Sequence, residues 1–267
     1  MRVALTIAGS DSSAGAGVQA DLKTFAAHGV YGTCALTAVT AQNTTGVSMA
    51  AALDPALVRA QIAAVAADMT IHGAKTGMLA NAAIVDAVAA AVRDHQLNTL
   101  VVDPVMIAKS GAALLDRDAL DALVRLLLPL ALVVTPNIPE AEALAAMTVT
   151  TAADGREAAR RIVAMGARAV IIKGGHAASA DIEDVLYDGR DFTAFVGERV
   201  AGRHTHGTGC TFSAALTAHL ALGRSLAAAI PLAQRYVAGA IRHAPGLGQG
   251  HGPMQHFWTT AGPGAHE

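Results

Sequence analysis

The turn Gly207-Thr208-Gly209-Cys210 runs directly into the apolar segment Thr211–Leu222. Glycines let a backbone turn its N–H groups inward, and a helix starting there adds the positive end of its dipole. That combination binds phosphate or stabilises the charge that develops during its transfer. A plain glycine turn capped by Thr208 is the competing reading from these residues alone. Cys210 falls in the first turn of the expected helix, where the helix end favours thiolate and should lower the thiol pKa. The alternative is a buried structural cysteine, and that is the reading for Cys34, which lies inside an expected strand.

A second glycine loop, Gly9–Gly17, separates the first apolar run from the first helical one. In an open α/β sheet the loops at the carboxyl ends of strands form the ligand crevice. Gly15-x-Gly17-x-x-Ala20 matches a dinucleotide fingerprint only superficially, because the glycines begin well after the strand and no acidic residue follows about 20 positions later. No glycine here is followed by lysine as a Walker A loop requires, so a P-loop is excluded. Asp103-Pro104-Val105-Met106 and Asn137-Ile138-Pro139-Glu140 each follow an expected strand. Carboxylates at neighbouring strand ends can converge on magnesium, while Asn137 before Pro139 suits a helix N-cap equally well. Lys173-Gly174-Gly175-His176 closes another strand, where a lysine can pair with phosphate.

The elements that would position these residues alternate. Apolar, β-branched runs at Val3–Ala8, Cys34–Val39, Leu100–Val102, Leu132–Thr135 and Val170–Lys173 read as strands. Helical spacing fits Val18–His28, Pro55–Ala67, Ala82–His95, Asp116–Leu128 and Gly155–Met165. Continuous apolar strands between helices predict a mostly parallel sheet covered on both faces. Near Asp184–Val196 the period switches to two, with Val185–Tyr187 and Phe192–Val196 flanking Asp188-Gly189 as a hairpin. Helices over Thr208–Leu222 and Leu226–His243 follow. No linker composition divides the chain, so residues 1–267 read as one α/β domain. The glycine-rich tail from Pro245, with His251 and His256, reads as a surface or ligand-edge loop, since histidines five apart suit no common metal spacing.

Of the 267 residues, 53% are hydrophobic and 15% charged, below the usual charged share of about 25%. The net charge of −2, without a run of like charges, argues against a nucleic-acid partner. The first apolar run is too short for a signal core, and Thr24–Leu53, though free of charge, holds too many polar residues for a membrane span. Two cysteines make no disulfide framework, which sets a reduced, cytoplasmic location as the expectation.

Together these segments resemble the hydroxymethylpyrimidine/phosphomethylpyrimidine kinases of thiamine biosynthesis, within the ribokinase-like fold. The motifs are Ala8–Asp21, Ala41–Thr44, Lys75–Leu79, Asp103–Met106 with Lys109-Ser110-Gly111, Thr135–Ala141, Lys173–His176 and Thr205–Thr211, in family order from residue 3 to about 257. The resemblance implies a three-layer sandwich with a small β-hairpin, and ATP with Mg2+ as cofactors. It implies that Gln42 hydrogen-bonds the pyrimidine ring, with Gly9, Asp21, Met78 and Val105 lining that pocket. Glu140, Asn137 and Asp103 would be magnesium-linked. Lys173, Thr205 and Thr208 would meet the nucleotide phosphates, with Gly207–Gly209 as the anion hole and Cys210 in the position of the catalytic base. A homodimer is expected. Ala14 replaces a glycine common in the first loop, and the tail Gly248–Pro253 varies on the family's pattern, which leaves the adenine-side contacts open. The rival readings are a pyridoxal kinase of the same cysteine-bearing subgroup, a non-catalytic precursor binder that would need none of Lys173, Glu140 and Cys210, and a nicotinamide dehydrogenase, disfavoured by the missing ribose acid.

Overall fold

The computed structural model describes residues 1–106, 117–174 and 181–259. Strands β1 (Val3–Asp11), β2 (Tyr31–Gln42) and β3 (Val47–Ala52) enclose helix α1 (Gly17–Ala27) in sequence. Then come α2 (Pro55–Asp68), β4 (Gly73–Thr76), α3 (Ala82–Asp94), β5 (Leu100–Val102), α4 (Arg117–Ala122) and β6 (Val133–Val134). Helices α5 (Ile138–Ala145) and α6 (Ala152–Ala164) precede β7 (Val170–Ile172), the hairpin β8 (Asp181–Tyr187) and β9 (Phe192–Glu198), and finally α7 (Thr208–Ala221) and α8 (Leu226–Arg242). One sheet joins all nine strands in the order β3-β2-β1-β4-β5-β6-β7-β8-β9. Its centre is parallel, and β3 at one edge and β8–β9 at the other are antiparallel.

Strand alternation sorts the core into two layers. Leu100 and Val102 face α2–α6, while Val101 between them faces α7 and α8. Val133 and Ile171 repeat the pattern against Val134, Val170 and Ile172. The α7 layer also holds α1, through Ala4, Phe25 and Ala218. Helix α7 lies in the middle of this layer and is buried continuously from Thr211 to Ala221, as a helix apolar on all sides must be.

The expected strands are all present, most of them longer or shorter by a few residues, and the hairpin closes between Tyr187 and Phe192. The helix expected over Asp116–Leu128 begins outside the described residues. Its described part is interrupted: α4 passes into a π turn at Leu123–Leu127 and a 3-10 turn at Leu128–Leu130, where Pro129 lacks the N–H to continue. Lys109-Ser110-Gly111 and Gly175-His176 also lie outside the described residues. The tail is more deeply packed than a surface loop. His251 is exposed, but His256 is buried with Nε2 3.1 Å from Thr211 Oγ1, and Gly250 N donates to Thr44 Oγ1.

Candidate active site

The carboxyl ends of the parallel strands and the N-terminus of α7 meet at one edge of the sheet. Gly207, the N-cap of α7, has φ 81°, and a Cβ there would stand 1.9 Å from the Gly15 oxygen. Only glycine fits, so the two glycine loops interlock. Thr208 does not cap the helix. Its hydroxyl donates to the Thr205 oxygen at 2.6 Å, which closes the turn from the other side. Next to the turn, a Cβ on Gly209 would lie 3.5 Å from Lys173 Nζ and 3.8 Å from Asp103 Oδ2, so these groups gather beside the helix end.

Lys173 Nζ meets Asp103 Oδ1 at 3.3 Å, and the same carboxylate accepts from Ser213 at 3.0 Å and Thr135 at 3.4 Å. Burial works against the lysine's charge, but Asp103 and Glu140 outweigh it and hold the ammonium above its ordinary pKa. Glu140 is pushed up to about 7, by burial first and by Asp103, with Lys173 opposing. Asn137 and Glu140 form a reciprocal capping box at the start of α5, with bonds of 2.9 and 2.8 Å. The side-chain oxygen of Asn137 is therefore engaged as a helix cap. Among the described residues no set of three acidic, histidine or cysteine side chains gathers to hold a metal. Magnesium in kinases is held by one or two carboxylates with phosphate oxygens and water, and Asp103 and Glu140 fit that partial shell.

Cys210 is partly exposed, and its thiol is not the low-pKa group its helical position suggests. Burial pushes it up to about 11; Lys75 lowers it, the charges of Asp21 and Asp103 raise it, and a bond from the Gly17 backbone lowers it slightly. Desolvation is the largest of these effects. Beneath it, Lys75 Nζ sits 2.8 and 2.9 Å from the two oxygens of Asp21, which also accept from Thr6 at 2.6 Å. Asp21 is fully buried, so it does not line a ligand pocket and acts from below the site.

The remaining ring-pocket residues lie at or just beyond the ends of β1, β2, β4 and β5. Gly9 packs against Met78, whose Sδ would be 3.3 Å from a Cβ at that position, and the Val105 N–H turns back to the Asp103 oxygen at 2.9 Å. Gln42 ends β2, its Oε1 3.1 Å from the Thr40 hydroxyl and its Nε2 3.2 Å from His206 Nε2. His206 Nε2 is also 2.8 Å from Asp11 Oδ2. A carboxylate only accepts, so the ring nitrogen is the donor and cannot accept from Gln42 as well. With the amide turned over, its oxygen accepts from His206 and its nitrogen donates to the Thr40 hydroxyl, whose own hydrogen goes to the Ser10 oxygen at 2.9 Å. Burial raises the Asp11 pKa, but bonds from His206 and Ser13 dominate and bring it to about 2. Sequence reading gave neither Asp11 nor His206 a role, although both lie inside its motifs.

From this edge a cleft of about 490 Å³ runs between the β8–β9 hairpin and helices α7 and α8. Asn137, Lys173, Thr205, Thr208 and Gly209 line it, so the expected phosphate residues do share one cavity. Its other walls include Asp184, Phe212 and Gln234, none of which the sequence singled out. No local motif marks them, since they come from a hairpin and two helices far apart in the chain.

A mostly parallel α/β sandwich with a glycine turn at a helix N-terminus, a paired lysine beside it and an adjoining cleft is the architecture of a small-molecule kinase of the ribokinase-like type. The phosphomethylpyrimidine kinase family matches residues 11–255, and the chain belongs to that family. It is 51% identical over 258 residues to the hydroxymethylpyrimidine/phosphomethylpyrimidine kinase of Haemophilus influenzae, covering 95% of this chain and 96% of that one. It is 50% identical over 253 residues to the thiamine biosynthesis bifunctional protein of Geobacter sulfurreducens, covering 95% of this chain but only 52% of that longer protein. Among solved structures, the ADP complex of Bacillus subtilis pyridoxal kinase superposes with a TM-score of 0.89 at 41% identity, covering 96% of this chain and 97% of that one. Among the described residues no helix is long and apolar enough to cross a membrane.

Proposed function

We propose that this chain, as one catalytic domain, transfers the terminal phosphoryl group of ATP to 4-amino-5-hydroxymethyl-2-methylpyrimidine and then to its monophosphate, in thiamine biosynthesis. The observation that carries the reading is convergence. Lys173, Asp103 and Gly209 gather at one end of the cleft, and Gln42 stands at the end of β2 beside the His206–Asp11 pair. Phosphoryl transfer depends mainly on positioning and charge neutralisation. Lys173, Thr205, Thr208 and the N–H groups of Gly207–Gly209 would hold the phosphates, and Asp103 with Glu140 would hold Mg2+, which neutralises them further. Gln42 would bind the ring nitrogen and the adjacent amine, with Gly9, Met78 and Val105 as walls. Cys210 stands beside the hole as a protonated thiol, supported from beneath by Lys75 and Asp21.

The ADP-bound pyridoxal kinase of B. subtilis supports nucleotide in the cleft, and it also keeps pyridoxal as the second candidate acceptor. A homodimer fits the stretch Thr24–Leu53, free of Asp, Glu, Lys and Arg, which leaves Tyr31, Val39 and Met49 exposed on β2 and β3 at the edge of the sheet. The test offers the pyrimidine alcohol, its monophosphate and pyridoxal side by side to the purified protein with MgATP. Faster turnover of both pyrimidines supports the reading, and preferential turnover of pyridoxal overturns it.

A further inference from the structure

Gln234 projects from α8 into the wall of the nucleotide cleft, beside Asp184. Its amide nitrogen lies 2.8 Å from Asp184 Oδ2 and 3.0 Å from the backbone oxygen of Phe195. A backbone oxygen can only accept, so the amide atom facing both groups is nitrogen, whichever way an amide is first drawn. Both of its hydrogens are then spent. The other amide atom, Oε1, meets no donor among the described residues.

The geometry around this amide is stiff. Asp184 is buried, and its second oxygen accepts from the Gly174 backbone at 2.9 Å, one residue beyond the phosphate lysine. Burial raises the Asp184 pKa while the bonds from Gly174 and Gln234 oppose it, as expected for a carboxylate kept for its contacts. On the other side Gly197 presses on the amide, with a Cβ there only 3.3 Å from Gln234 Cδ. The apolar walls of the cleft, Phe212, Val237 and Ile241 among them, can hold a flat ring but cannot tell one purine from another.

We propose that Gln234 Oε1 reads the nucleobase, accepting the exocyclic amine of a 6-aminopurine and rejecting 6-oxopurines. This rests on the reading that the cleft takes a nucleoside triphosphate. A 6-amino group is a donor that meets the acceptor. A 6-oxo group sets two desolvated acceptors against each other, which costs more than the lost bond alone.

Calorimetric titration with ADP and IDP tests this without requiring phosphoryl transfer. The protein should bind ADP at least about tenfold more tightly than IDP, and Gln234→Met should bring the two within about threefold, chiefly by weakening ADP. Equal affinities in the unchanged protein, or a preserved preference in the variant, overturn the inference. Should Gln234→Met fail to fold, the diphosphate of unsubstituted purine riboside serves on the unchanged protein. It lacks the 6-amino group and should bind more weakly than ADP, and binding equal to ADP overturns the inference. A protein that prefers ADP in this way yet transfers no phosphoryl group keeps the base reader and loses the kinase reading. One that binds neither diphosphate loses both.

Discussion

Two lysine–aspartate pairs lie at the same end of the sheet and are built differently. Lys75 and Asp21 are sealed, with 0% side-chain exposure on both, and Lys75 meets both carboxylate oxygens while Thr6 adds a third bond. Lys173 keeps 15% of its side chain exposed, stands 3.3 Å from one oxygen of Asp103, and faces the cleft. In the sealed pair the charges are spent on each other, with neither side chain exposed to solvent. Burial works against the Lys75 ammonium, but Asp21 outweighs it and holds its pKa above the ordinary value. The open lysine has two carboxylates near it, of which Glu140 can take up a proton. It can therefore be lent to an incoming phosphate. The first pair serves as scaffold under Cys210, and the second is the part that would work on phosphate.

The largest expected effect comes from breaking the sealed pair. Lys75→Met leaves Asp21 buried without its counter-charge, which should cost on the order of 3–5 kcal/mol of stability. A denaturant midpoint unchanged within error would refute the scaffold role.

Glu140 sharpens the open side of the contrast. Its folded pKa of about 7 lies above the ordinary 4.5, so the folded state holds an extra proton between those values. Its contribution to stability is present below pH 4.5 and declines as pH rises towards 7. Glu140→Gln should remove that decline. Parallel stability–pH curves for the two proteins would show that Glu140 titrates as it does in the unfolded chain.

The smallest effect belongs to the loop above both pairs. Ala14 occupies the left-handed region with φ 59°, where a Cβ is unfavourable. Ala14→Gly relieves that strain but frees the unfolded chain, so a net gain below about 1 kcal/mol is expected. A measurable loss of stability would mean the methyl group contributes packing that outweighs its strain.

These contrasts also mark what the sequence could reveal. The parallel sheet, the hairpin and the order of the motifs were legible because apolar strands, turn residues and glycine loops are local signals. Strand β4 was not. Its residues Gly73-Ala74-Lys75-Thr76 look polar because Lys75 is neutralised by Asp21, a partner 54 positions away that no local pattern reveals. The same pairing explains why Asp21, inside a recognised motif, is buried rather than exposed to a ligand. Strand β3 escapes the pattern because it is an exposed edge of Val, Ser, Met and Ala, and of α5 only the Asn137 cap is legible, because eight residues are too few for a clear period and the first four fall in the Thr135–Ala141 motif. The Cys210 thiol went astray for a related reason: position on a helix is visible in sequence, and desolvation is not.

Lys173→Met tests the contrast most directly, with unfolding and turnover measured on the same preparation. The account predicts an unfolding midpoint much nearer to that of the unchanged protein than to that of Lys75→Met, because Glu140 can stay protonated and Asp103 keeps its bonds from Thr135 and Ser213. Turnover of the pyrimidine alcohol should fall by about 10²–10³, the usual loss when one group stabilising a developing anion is removed. A variant that unfolds as readily as Lys75→Met, while its folded fraction turns over normally, would contradict the division between a sealed scaffold and an open phosphate site.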